Sequence, residues 1–227
     1  MPSSHHNLAP QPPLVCIIRT SNHTVMRKAR IRLVWTYFNP GFRNALILCP
    51  PPNETGAANE DIRVAVAVQG AEQDSLRWLQ LHRPSVGLVD KCCAVCVRPI
   101  FGSMVSLWKV VEFVAHYRSM EASRFYFYDF DMPSGLKLLL ARLQSEGVDV
   151  TIVPFNLVAS GGDVHAHGQL PALYDCIFRS MSRTEYYIHV DLDEMIHPFR
   201  HSSIPALLRE KESEYSHRLG SLVLSTW

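Results

Sequence analysis

The sequence predicts an α/β fold, a mostly parallel β-sheet flanked by helices and preceded by a small β-rich region. Three observations carry this. Beyond about residue 89, apolar stretches of strand length alternate with apolar residues at helical spacing. That alternation implies right-handed βαβ crossovers and a mostly parallel sheet. Before residue 88, short apolar segments are separated by turn residues, the texture of paired strands. Hydrophobic residues make up 47% of the chain and charged ones 19%, enough apolar material for a buried core.

Taken in order, residues 1–24 are rich in Pro, Ser, His and Asn without periodicity and read as disordered. Residues 25–88 read as the β-rich region. Segments 31–38 and 44–49 flank Asn39-Pro40-Gly41, a hairpin turn, and Pro50-Pro51-Pro52 closes that unit. Ile62, Val64, Val66 and Val68 alternate with smaller or polar residues, as in a half-buried strand. Residues 89–227 form the α/β domain. The continuous apolar run 92–97, ending at Arg98-Pro99, fits a fully buried strand. Met104, Trp108, Val111 and Ala115 follow at helical spacing, which places Trp108 in the core. Residues 124–130 form an aromatic strand. Pro133-Ser134-Gly135 opens a helix with a stripe of Leu136, Leu139, Leu140 and Leu143, and Gly147 stops it. Val148, Val150, Ile152 and Val153 make a third strand closed by Pro154. Ser160-Gly161-Gly162-Asp163 is a loop, and 170–181 is a helix with Leu173, Ile177 and Met181 on one face. Residues 186–190 form a fourth strand that runs straight into Asp191-Leu192-Asp193-Glu194. A short helix over 204–209 and a fifth strand over 219–226 complete the reading.

Several function classes are excluded. The 227 residues carry 22 Lys+Arg against 21 Asp+Glu, a net charge of +1. That balance argues against a nucleic-acid partner, whose phosphates require clustered cations. No run approaches the ~18 consecutive apolar residues of a membrane span, so the sequence as written predicts neither a signal peptide nor an anchor. Six cysteines are too few and too scattered for a fold built on disulfides. Asn22-His23-Thr24 and Asn53-Glu54-Thr55 are glycosylation acceptor triplets, leaning slightly toward a secretory lumen.

Ligands of open parallel sheets bind outside the carboxyl ends of the strands. Those ends are Arg98-Pro99, Asp129-Phe130-Asp131, Pro154-Phe155 and Asp191-Leu192-Asp193-Glu194. The last is the strongest signal, because three carboxylates within four residues repel one another unless a cation sits among them. Oxygen ligands at that density suit Mg2+ or Mn2+. On a strand, Asp191 and Asp193 point to the same side, so both could face one ion. The competing reading is a capped turn with solvent-facing acids. Neither G-x-x-x-x-G-K-[ST] nor G-x-G-x-x-G after the first strand is present, which weighs against a P-loop enzyme or a dinucleotide dehydrogenase. A cation held by acidic residues without a Gly-rich loop points to an ion that carries a diphosphate.

The stretch from about Cys92 to Trp227 resembles glycosyltransferase family 92. The carrying motifs are Cys96-Val97-Arg98-Pro99-Ile100-Phe101-Gly102, Glu112-Phe113-Val114-Ala115-His116-Tyr117-Arg118, Phe125-Tyr126-Phe127-Tyr128-Asp129, Gly168-Gln169 with Tyr174-Asp175-Cys176, and Asp191-Leu192-Asp193-Glu194 followed by Pro198. The resemblance implies a Rossmann-type sheet of the GT-A kind. It implies transfer of a hexose, galactose from UDP-galactose, onto a glycan acceptor with inversion and with Mn2+ (or Mg2+). It implies that Asp193 binds the metal and Asp191 the metal or the sugar-nucleotide. Tyr128 and Asp129 would face the nucleoside, and Asp175 would lie near the donor. Glu194 is a candidate base, with the catalytic residue left unassigned. The family further implies membrane association on the lumenal side of the Golgi, and chain beyond Trp227 that supplies acceptor contacts. The alternative is a non-catalytic, truncated relative that binds nucleotide-sugar or glycan.

Weaker candidates have plainer readings. Cys92, Cys93 and Cys96 lack a second pair of zinc ligands at suitable spacing and read as small core residues. Alternation sets Cys93 opposite Cys92 and Cys96, and a disulfide from one of the three to Cys176 is open in a lumenal chain. Asp163-Val164-His165-Ala166-His167 sits in a Gly-flanked loop and suits donor or acceptor contact better than metal binding. His189, inside an apolar strand, reads as a core histidine. His116 and Tyr117 close a helix, where positive charge suits the macrodipole. Arg98 could pair with phosphate or with a surface acid, and Asp131 begins a turn.

Overall fold

The structure, a computed structural model, describes residues 13–21, 23–34, 44–51, 61–72, 75–81, 91–102, 105–155, 168–181, 183–215 and 220–222. They fall into two compact units. The first unit is antiparallel. Its strands are β1 (Leu14–Arg19), β2 (Thr24–Lys28), β3 (Arg30–Leu33), β4 (Ala45–Leu48), β5 (Arg63–Val68) and β6 (Leu79–Gln80). One sheet runs β2-β1-β5-β6, and β3 pairs with β4. The expected turn at 39–41 lies outside the described residues, although Arg30↔Leu48 and Leu33↔Ala45 register as a hairpin would.

Strand β1 corrects the expectation that residues 1–24 are disordered. Its run Val15-Cys16-Ile17-Ile18 is buried on both faces, Cys16 and Ile18 packing with Ala29 and Ile62, and Val15 and Ile17 with Ala65. The strand is held by partners distant in sequence, with Leu14 opposite Val68, and a disulfide joins Cys16 to Cys49. Pairing across that separation leaves no local periodic signal.

The second unit holds β7 (Lys91–Val97), β8 (Ile100–Phe101), β9 (Ala122–Asp131), β10 (Val150–Pro154) and β11 (Thr184–Val190). Its helices are α1 (Leu107–Ser119), α2 (Ser134–Ser145), α3 (Gln169–Ser180) and α4 (Ile204–Glu214). The sheet order is β10-β9-β7-β11, with β8 on β9, and every pairing is parallel. The α/β expectation is met in this form: a parallel sheet flanked by helices, and a separate antiparallel β-rich unit earlier in the sequence. The expected fifth strand over 219–226 falls mostly outside the described residues, and Gly220, Ser221 and Leu222 are not in a strand.

The order places a switch point beside β7. From β7 the chain moves outward through α1 to β9 and through α2 to β10, then returns through α3 to β11 on the other side of β7. With right-handed crossovers, reversing direction puts the returning helix on the opposite face. The packing follows: Val95, Val97, Phe125 and Phe127 meet Val110, Phe113, Leu136 and Leu140 on one face, whereas Ala94, Cys96, Tyr126 and Tyr128 meet Ala172 and Cys176 on the other. The crevice between the carboxyl ends of β7 and β11 is therefore where a ligand is expected.

Helix α2 buries Leu136 and Leu140 and half-buries Leu139 and Leu143 as the sequence predicts, and Gly147, at φ 87°, takes the left-handed turn that ends it. Helix α1 does not follow its predicted stripe. Trp108 is 82% exposed, and the inward face is Val110, Phe113, Val114 and Tyr117. Both stripes have helical spacing, and the one holding two large rings buries more apolar area. Helix α3 turns inward its small residues, Ala172, Cys176 and Ser180, with Leu173 and Ile177 half-buried and Met181 52% exposed. Small residues let the helix sit close to Ala94 and Cys96, and Cys96 is bonded to Cys176.

Candidate functional site

The site is built at the ends of β7 and β11, which run side by side with Val190 opposite Val97. Leaving β7, Arg98 reaches across to Asp191, the first residue after β11, with Arg98 Nε 2.5 Å from Asp191 Oδ1. The two line a cleft of about 370 Å³ together with Pro99, Phe101, Gln169 and Leu192. Asp191 is turned into this cleft, its side chain 26% exposed. Burial pushes its carboxyl up from the ordinary range, Arg98 pulls it back, and Glu194 and Asp193 add to the rise.

Helix α3 contributes Gln169. Gly168, at φ 77°, makes the left-handed turn from which α3 starts. With its amide oxygen facing the cleft, Gln169 accepts from Arg98 Nη2 at 3.0 Å and from His189 Nε2 at 3.3 Å, whereas the amide nitrogen there would face only donors. This arrangement puts the imidazole proton on Nε2. Burial, then the Arg98 charge, lowers the His189 pKa, so the ring is neutral near pH 7. His189 is half-buried rather than in the core, and it props the residue that holds Arg98.

Asp191-Leu192-Asp193-Glu194 is a turn, not a continuing strand. The Glu194 N–H donates to the Asp191 carbonyl at 3.1 Å, and the Asp191 N–H donates to Glu194 Oε2 at 2.9 Å. The alternation that would set Asp191 and Asp193 on one side does not apply once β11 ends at Val190. Asp191 faces the cleft, Asp193 is exposed, and Glu194 caps the turn from within. Among the described residues no three His, Cys, Asp or Glu side chains gather as a metal cluster.

Helix α1 fixes the chain just past this turn. The buried Tyr117 hydroxyl donates to the Glu194 carbonyl at 3.1 Å and accepts from the Ile196 N–H at 3.2 Å. His116 Nε2 lies 2.9 Å from the Ile196 carbonyl. In the sequence His116 and Tyr117 read as a helix end and as part of the 112–118 motif. Their adjacency was visible, but their partners, 77 to 80 residues on, were not.

The other predicted residues divide by strand face. Tyr128 and Asp175 are brought together: the Tyr128 hydroxyl donates to Asp175 Oδ2 at 2.8 Å, and Arg179 Nε lies 2.5 Å from the same oxygen. Burial first, then the Asp175 charge, raises the Tyr128 pKa. Asp129, one residue on, points the other way. Its Oδ1 accepts from the Met132 N–H at 2.9 Å and its Oδ2 pairs with Lys137 of α2 at 2.7 Å. Asp129 therefore shapes the turn into α2, and Asp131 is exposed. The loop with Asp163, His165 and His167, and the triplets at Asn22 and Asn53, lie wholly or partly outside the described residues.

At the start of β7, Cys92 and Cys93 are free, with Sγ atoms 3.2 Å apart. Cys93 packs with Val95 and Val97, and Cys92 lies against the same cluster rather than opposite it. Cys96 faces the other way, toward its disulfide partner Cys176.

The sequence profile of glycosyltransferase family 92 matches residues 91–223, which is the parallel-sheet unit. A Caenorhabditis elegans protein named beta-1,4-galactosyltransferase galt-1 is 26% identical over 111 residues. That match covers 48% of this chain and 26% of the relative, so the matched part spans about a quarter of the relative's length.

Proposed function

The chain belongs to glycosyltransferase family 92, and from that premise we propose that its parallel-sheet unit transfers a hexose from a nucleotide-diphosphate sugar, UDP-galactose, to a glycan hydroxyl with inversion. The all-parallel sheet with its switch point at β7 and β11 supports a GT-A assignment. The observation that carries the proposal is the Arg98–Asp191 pair lining one cleft at that switch point. It sets a cationic and an anionic group where a diphosphate and its counter-ion would meet.

The residues fit a divalent cation of the Mn2+ or Mg2+ kind. Such ions are held by one or two carboxylates plus phosphate oxygens rather than by a full protein cage. Asp191 in the cleft, with Asp193 exposed two residues on, matches that donor set. When bound, the cation neutralises charge developing on the leaving diphosphate.

The chain's own residues orient the reaction. Arg98 offers a planar guanidinium to the diphosphate, and Gln169 and neutral His189 hold that guanidinium in place. Tyr117 and His116 fix the turn that carries Asp191 and Asp193. Tyr128 and Asp175 join β9 to α3 near the carboxyl end of β9, where they would border the nucleoside. In the transfer itself the bond from the anomeric carbon to the diphosphate oxygen breaks, its electron pair leaving with the diphosphate. A bond to the acceptor oxygen forms on the opposite face, and the acceptor proton passes to a base. The transition state has oxocarbenium character, as in glycoside chemistry.

The family and the two disulfides, Cys16–Cys49 and Cys96–Cys176, support placement in an oxidising secretory compartment, the Golgi lumen. No helix among the described residues is long and apolar enough to cross a membrane, and membrane association is part of the proposal only through the family.

The test is mass-spectrometric detection of hexose transfer from UDP-galactose to a panel of free glycans with Mn2+ present. The wild-type chain is expected to yield product and Asp191→Ala none. Binding of UDP without turnover would establish the non-catalytic alternative, and no binding of any UDP-sugar would overturn the proposal.

A further inference from the structure

In the resting protein the cation-binding group and the anion-binding group of the cleft occupy each other. Arg98 Nε sits 2.5 Å from Asp191 Oδ1, and the Arg98 side chain is 48% exposed. The guanidinium is also held by Gln169 at the start of α3, which His189 props. A diphosphate entering the cleft and a cation approaching Asp191 therefore compete with the same ion pair.

We infer that the Arg98–Asp191 ion pair is a latch that makes the cleft take diphosphate and divalent cation as one unit and bind each poorly alone. This rests on the nucleotide-sugar reading above and adds to it a binding role for Arg98 and a coupling between the two ligands. The reasoning is linkage. Diphosphate draws Arg98 away and leaves Asp191 unneutralised, which raises its affinity for a cation. A cation on Asp191 releases Arg98, which raises its affinity for diphosphate. The two effects are equal by thermodynamic necessity. Gln169 gives the released guanidinium a second, uncharged partner on the cleft wall, so opening the latch does not leave Arg98 without a hydrogen-bond acceptor.

The latch makes a prediction that an ordinary metal-ligand role for Asp191 does not. Removing the Asp191 charge frees Arg98, so Asp191→Asn should bind UDP more tightly than wild type when no metal is present. Titration calorimetry of the 227-residue chain with UDP in EDTA, and with UDP plus MnCl2, tests it. Wild type should gain affinity for UDP when Mn2+ is added, by a factor in the range of about 5 to 150 usual for coupled sites. Asp191→Asn should gain at least about fivefold in EDTA and lose most of the Mn2+ effect. Asp193→Asn removes an equal charge that does not touch Arg98 and should show no such gain in EDTA. Placed in an Arg98→Gln background, Asp191→Asn should also lose its gain, because the double-mutant cycle then contains no latch.

If wild type binds UDP with Mn2+ but Asp191→Asn does not exceed it in EDTA, the latch is overturned and the nucleotide-sugar reading stands. A gain shared by Asp193→Asn, or kept in the Arg98→Gln background, overturns the latch as a general charge effect. If none of the proteins binds UDP with or without Mn2+, both inferences fall. Melting curves check that each variant is folded.

Discussion

The Tyr117 hydroxyl is clamped to the backbone just past the acidic turn, donating to the Glu194 carbonyl at 3.1 Å and accepting from the Ile196 N–H at 3.2 Å. A side chain in the core of α1 thereby holds the segment that carries Asp191 and Asp193. Tyr117→Phe keeps the ring and removes both bonds, leaving a carbonyl and an N–H to find other partners. The expected loss is about 1–3 kcal/mol, read as a fall in melting temperature of about 2–4 °C per kcal/mol for a chain of this size. UDP binding with Mn2+ should weaken as well, while Tyr126→Phe, which loses a 3.5 Å bond to the Arg179 carbonyl and a hydrogen bond with Arg124, neither of them to the acidic turn, should leave it unchanged. Equal effects of the two variants on UDP binding would count against the clamp.

The inward face of α1 can be tested by contrast. Phe113 is fully buried and Trp108 is 82% exposed. Phe113→Ala should destabilise by about 3–5 kcal/mol, and Trp108→Ala should stay within about 0.5 kcal/mol of wild type. Urea melts of the two variants decide which stripe packs on the sheet.

The cysteines give a chemical readout. Cys92 and Cys93 are free, and burial pushes both thiols up from their ordinary pKa of 9.0. At pH 8 the native chain should alkylate slowly, because the thiolate is the reactive form. In urea without reductant two cysteines should react, and reduction should release the four of Cys16–Cys49 and Cys96–Cys176. The sign for stability follows from linkage. The unfolded thiols ionise near 9.0 and the folded ones later, so the stabilising share of the neutral thiols is complete below pH 9 and lost as pH rises through the folded values. Urea midpoints should therefore drop above pH 9 in wild type and drop less in Cys93→Ala.

The disulfide between Cys96 and Cys176 ties β7 to α3 across 80 residues of sequence. A bridge closing so long a stretch is worth about 4.5 kcal/mol on the chain-entropy account. Cys176→Ser should lower the melting temperature markedly, and full reduction of wild type, which also opens Cys16–Cys49, should lower it further. If reduction shifts wild type and the variant equally, Cys96 is not bonded to Cys176.

Tyr128 and Asp175 test the nucleoside side. Asp175 already pairs with Arg179 along α3, so Tyr128→Phe should cost only about 0.5–1.5 kcal/mol. If these residues border the nucleoside, the same change should weaken UDP relative to pyrophosphate in competition binding. A uniform loss for both ligands would place them outside that subsite.

What the sequence determined by itself is local. Runs such as 92–97 and 186–190 are apolar enough to be strands on any reading, the leucine stripe of α2 has no rival face, and the strand ends that carry Arg98 and Asp191 could be read as the place for a ligand. The tertiary structure decided what depends on distant partners. It chose Phe113 and Tyr117 over Trp108 as the packed side of α1, recruited Leu14–Arg19 between β2 and β5, paired Cys96 with Cys176, and ended β11 before Asp191 so that only one of the two aspartates faces the cleft. The physical reason is common to all four. Periodicity along a segment records which residues can be buried, but burial, pairing and charge neutralisation are settled by groups brought together from far along the chain.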